Sequence, residues 1–156
     1  MDFDEILTDS FFNYGWCYKK KISFFGKEND IQFVFEAYPE TEKINSAQKD
    51  SFLDFYSNIN NLSEASANEV NAYIERYVGK NYSIENDVQL KEVLVKQDGK
   101  LVLLCEAAWD IENGIGIQIY PEMEIGPQSR CVSLNLIRAE GFIPRCLRRG
   151  MLIREE

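Results

Sequence analysis

Apolar and polar positions alternate with a period of two in three stretches of this chain. In the first, Trp16 to Phe25, Trp16, Tyr18, Ile22 and Phe24 share one face, while Cys17, Lys19, Lys21 and Ser23 share the other. A turn over Gly26 to Asp30 then leads into Ile31 to Tyr38, where Ile31, Phe33, Phe35 and Ala37 alternate with Gln32, Val34, Glu36 and Tyr38. The pair predicts an opening β-hairpin, ended by Pro39. The third stretch lies late in the chain. An apolar strand runs from Leu101 to Trp109, and Asn113-Gly114 supplies a two-residue turn. Ile115, Ile117 and Ile119 then alternate with Gly116, Gln118 and Tyr120.

Between these stretches the period changes to that of a helix. Asn45 stands three residues before Gln48, a capping-box spacing, and Phe52, Phe55, Tyr56 and Ile59 follow. A second box at Ser66 and Glu69 predicts a new helix, with Val70, Tyr73, Ile74, Tyr77 and Val78 as its stripe and Gly79 at its end. A weaker helical spacing marks residues 1–14. Val93 to Val95 begin another strand, turned at Asp98-Gly99. Val132, Leu134 and Leu136 alternate with Ser133 and Asn135 as a last strand. Strands, then helices, then strands predict an α+β class. The sheet is mainly antiparallel, built from an N-terminal hairpin and C-terminal strands, with two helices inserted between them. Residues 1–130 form one domain; 131–156 hold the last strand and an arginine-rich tail.

The chain has 156 residues, which suits one core. No apolar run approaches the ~20 residues of a membrane span, and the acidic MDFDEILTDSFF start does not resemble a secretory signal. The expectation is a cytoplasmic protein. The cysteines Cys17, Cys105, Cys131 and Cys146 form no CxxC pair and are expected as free thiols. There is no histidine, which excludes Ser-His-Asp and Cys-His catalysis and histidine-ligated metals. No metal or cofactor is expected.

The net charge of −9 disfavours nucleic acid and favours a basic protein partner. That charge is uneven. Residues 1–129 carry 11 basic and 23 acidic side chains, hence −12, whereas residues 130–156 carry 6 and 3, hence +3. Two readings stay open: a basic terminus lying on an acidic body, or a tail of separate origin such as a shifted reading frame.

The chemistry-bearing candidates are few. Asp110, Glu112, Glu122 and Glu124 gather around the late hairpin, where carboxylates could form a binding surface or do acid/base work. They match no calcium loop and are expected to be solvated. The NGIGI glycines lack the third glycine and helix of a phosphate loop; Gly114 fits a turn and Gly116 a close backbone approach. Lys19, Lys20 and Lys21 suit a solvated sheet face. Arg148-Arg149 near Cys146 belong to the tail. Trp16 and Trp109 are expected in the core, Trp109 largely buried.

Two segments together carry a resemblance: ISFFGKENDIQFVFEAYPETEKINSAQKDSFLDFY from Ile22 to Tyr56, and CEAAWDIENGIGIQIYPEMEIGPQ from Cys105 to Gln128. They resemble a family of uncharacterised bacterial cytosolic proteins, a domain of unknown function, over about residues 1–130. The Ala107-Ala108 insertion before Trp109 departs from its pattern. Some relatives are suspected immunity proteins of bacterial toxin systems. The resemblance implies a small binding protein with no catalytic residues to carry over. The leading expectation is a non-enzymatic acidic module for a basic protein such as a toxin. A carboxylate enzyme using Asp110 or Glu112 is the alternative, and a structural domain pairing through a strand edge is a third. The oligomeric state stays open.

Overall fold

The computed structural model describes residues 3–13, 15–37, 42–79 and 81–126. The chain opens with α1 (Phe3–Asp9), β1 (Phe11–Phe12), β2 (Trp16–Phe24) and β3 (Lys27–Phe35). Then come α2 (Ser46–Ser57), α3 (Ile59–Tyr73) with a π-helical turn at Ile74–Val78, and the short α4 (Ile84–Asp87). It continues through β4 (Val88–Val95), β5 (Leu101–Ala107), β6 (Asp110–Tyr120) and β7 (Glu124–Gly126). These seven strands form one sheet in chain order. Each pair of neighbours is antiparallel except β3 and β4, which are parallel from Gln32↔Glu92 to Phe35↔Val95. The parallel pair follows from the helices, which occupy the long crossover that parallel strands require. The α+β architecture is the one the sequence predicts.

The opening hairpin alternates in part as expected: Tyr18, Ile22, Phe24, Ile31, Phe33 and Phe35 are buried, and Lys19, Lys21 and Ser23 are exposed, but Cys17, Val34 and Glu36 on the second face are buried too. Its turn is tighter than expected. Phe24 pairs with Lys27, so Phe25 and Gly26 alone reverse the chain, at φ 57° and 74°. Two left-handed residues match the twist of the flanking strands. Phe25 is an unusual occupant. Burial, an edge contact to Phe24 at 4.8 Å and a bond from its N–H to Ser63 Oγ at 2.8 Å hold it there.

The box at the start of α2 forms as its spacing predicts. Gln48 N–H donates to Asn45 Oδ1 at 2.9 Å, and Asn45 N–H to Gln48 Oε1 at 3.0 Å. The fully buried Gln48 amide also donates to the carbonyls of Glu36 (2.9 Å) and Val95 (3.1 Å). It thereby ties α2 to the ends of the parallel strands. The second box does not form. α3 starts at Ile59 and passes through Ser66, which is buried with no hydrogen-bond partner for its hydroxyl. Earlier helix formation lets Leu62 pack against the core, which a loop before Ser66 would forgo.

Phenylalanines make the centre of the interior. Phe52 of α2 meets Phe33 edge-on at 4.9 Å and Phe35 at 5.6 Å, while Phe55 stacks on Phe24 at 6.1 Å. Phe3 and Ile6 of α1 and Val70 of α3 join the same cluster, so the helices cover one face of the sheet.

The late hairpin differs from its sequence reading. It closes at Ala108-Trp109, where Ala107 pairs with Asp110, and Asn113-Gly114 lies inside β6. Between the pairs Cys105↔Ile115 and Ala107↔Asp110, β5 has the single residue Glu106, while β6 has Ile111 to Gly114. The Asn-Gly step does turn the chain, with Gly114 at φ 58°, but it turns a bulge. Trp109 therefore sits in the hairpin loop and is half-buried, edge-on to Tyr82 at 5.6 Å, instead of deep in a strand. The strand expected at Val93 begins at Val88. Pro39, Cys131, Cys146, the strand expected at Val132 to Leu136 and the arginine-rich tail lie outside the described residues. Among the described residues, no helix is long and apolar enough to cross a membrane.

Candidate interaction surface

The four carboxylates singled out in the sequence occupy two ends of β6. Asp110 and Glu112 stand at its start; Glu122 and Glu124 lie beyond its end and on β7. At a strand's rise per residue the two pairs are roughly 20–30 Å apart. Asp110 is half-buried, and its carboxylate accepts from Asn113 N–H at 3.2 Å and from Asn113 Nδ2 at 3.2 and 3.3 Å. It closes the bulge. Glu112, Glu122 and Glu124 are exposed. Gln118 Nε2 donates to Glu124 Oε2 and to the Glu122 carbonyl, both at 3.1 Å, bracing the β6–β7 turn. Among the described residues, no three His, Cys, Asp or Glu side chains gather in a way that could hold a metal ion.

The two described cysteines are free and buried. Cys105 belongs to the helix-covered face, while Cys17 pairs with Val34 on the other. Burial above all, helped by the charge of Glu92, pushes the Cys17 thiol up to about 12. Such a thiol is no nucleophile at neutral pH. Lys19 and Lys21 are exposed, the latter 3.7 Å from Asp30. Among the described residues, β1 pairs only with Trp16 and Cys17, so these lysines fringe an edge.

Two features escaped the sequence reading. The first is Ile111, 85% exposed on the bulge two residues after Trp109. The Asp110-x-x-Asn113 spacing was the available signal, since such side chains fold local turns. The second is the π-helical turn, where Tyr77 is 68% exposed and packs on Tyr73 at 5.2 Å. Glu69, Tyr73, Arg76, Tyr77 and Ile125 line an open groove there of about 660 Å³. No residue type announces a π turn in advance.

The profile of the family described as Domain of unknown function (DUF6985) matches residues 2–132. The chain belongs to this family. The match spans both segments that carried the resemblance and the whole described sheet. No curated protein and no solved structure matches the chain. The DUF6985 assignment therefore leaves the reading of function to the surface itself.

Proposed function

We propose that this DUF6985 protein is a non-enzymatic binding module for a basic protein, acting in the manner of an immunity protein that covers a toxin. One observation carries the reading. The candidate carboxylates do not converge; they lie dispersed at the two ends of β6, one pair beside an exposed apolar tip, on a chain of net charge −9. Dispersed surface charge speeds encounter with an oppositely charged protein, whereas acid/base chemistry needs two groups on one reacting atom. The carboxylate-enzyme alternative has weaker support, because Asp110 is engaged in holding Asn113 and Glu112 is exposed.

Co-purification from the cells that express it tests the proposal. A specific basic partner is expected at low salt and is expected to dissociate as salt rises. Recovery of none at low salt, with none gained by adding purified candidate toxins, would count against it.

A further inference from the structure

The connection from β5 to β6 contains more chain than a hairpin needs. Opposite Glu106, β6 carries four residues, Ile111 to Gly114. Asp110 clamps Asn113, and Gly114 adopts φ 58°. The result is to hold Ile111 outward at 85% exposure. A branched apolar residue in a strand ordinarily packs on its neighbours, and bulges are a known means of re-aiming a side chain. Beside it Ala108 is exposed, and Trp109 rests edge-on against Tyr82, itself 37% exposed.

Among the described residues, the charges at this end of the sheet are unequal. The carboxylates of Asp87, Glu106, Asp110 and Glu112 stand against the ammonium groups of Lys27 and Lys91. The Lys27 group turns inward, donating to the carbonyls of Val88 at 2.7 Å and Glu85 at 3.0 Å. An apolar centre with a charged rim is the plan of a protein interface, and tryptophan and tyrosine are its usual anchors.

We infer that this tip is the docking site for the basic partner, whose apolar cleft receives Ile111 and Trp109 while its lysine or arginine side chains meet the carboxylate rim. The inference rests on the binding-module reading. It selects one surface over the Tyr77 groove, where Arg76 beside Glu69 and Glu75 leaves a net −1 among the described residues, against −2 at the tip.

A fluorescence titration tests it. Trp16→Phe leaves Trp109 as the only indole of the two in the chain. The probe is an amphipathic peptide of alternating lysine and leucine; polylysine of equal charge is the control. The expected result is a blue shift of Trp109 emission with the lysine–leucine peptide and clearly weaker binding of polylysine. Ile111→Ser should weaken the peptide about tenfold or more, as loss of a buried isoleucine implies. Ile111→Thr, which keeps the branched shape a strand favours, should show the same direction and guards against a folding defect. Equal titrations of the parent and both variants would overturn the inference, as would equal affinity for polylysine and the mixed peptide. If that happens while co-purification still yields a salt-sensitive partner, the tip assignment fails and the binding-module reading stands. If both experiments fail, both fall.

Discussion

Ser66 shows how a single side chain can carry two opposite expectations. As an N-cap its replacement by alanine would cost about 1 kcal/mol. In the structure it lies within α3, buried, with no partner for its hydroxyl. Ser66→Ala therefore removes an unsatisfied polar group and adds a better helix former, so the protein should become more stable, by up to about 1 kcal/mol. A thermal melt decides: a higher midpoint fits the continuous helix, and a lower one the cap. Cys17 makes a second prediction at this scale. Its thiol titrates at an ordinary 9.0 when unfolded and is pushed up to about 12 by burial. The folded state thus favours the neutral form. That contribution is whole below pH 9.0, because neither state is ionised there. It is lost as pH rises toward about 12, where the unfolded chain has already released its proton. Tyr120, raised first by burial and then by its hydrogen bond to Asp54 and that group's charge, and Tyr18, raised by burial, act in the same direction. Chemical denaturation between pH 8 and 11 should show falling stability, with a shallower fall for Cys17→Ala.

At the scale of elements, Gln48 joins what the hairpin and the helices would otherwise leave separate. Its amide completes the α2 cap and reaches the carbonyls at the ends of β3 and β4. Gln48→Leu keeps the volume and removes those donors. It should destabilise by about 1–3 kcal/mol, or roughly 2–4 °C of melting temperature per kcal/mol. An unchanged midpoint would show that the tie is dispensable. The cap itself was legible because Asn45 and Gln48 act within one helical turn. So was the strand alternation of Tyr18, Ile22 and Phe24, which depends only on which face is wet. What sequence could not decide was where the chain reverses. Phe25 occupies a left-handed position that its residue type disfavours, held there by Ser63 from a distant helix. Asn113-Gly114 has hairpin chemistry, yet the pairing of Ala107 with Asp110 places the reversal at Ala108-Trp109, five residues earlier. The first outcome depends on a partner far along the chain. The second is a choice between two neighbouring reversals, and the bulge that exposes Ile111 comes with it, built by Asp110 and Asn113.

Among the described residues, the helices shield one sheet face with a phenylalanine interior, and most charged side chains are left to the surface, with Glu36 and Lys96 as buried exceptions. Membership of DUF6985 covers this body. On the proposed reading, the net charge of −9 would provide a long-range attraction for a basic protein, and the β5–β6 tip would supply the short-range apolar contact. The two terms separate experimentally. Salt should slow association with the partner, while substitutions at the tip should speed dissociation. The most direct measurement is hydroxyl-radical footprinting of the captured complex against the chain alone. The account predicts that Tyr82, Trp109 and Ile111 become protected together while Tyr77 and the Lys19–Lys21 edge stay reactive. Protection centred on Tyr77 or on that edge, with Ile111 as reactive as in the isolated chain, would contradict it.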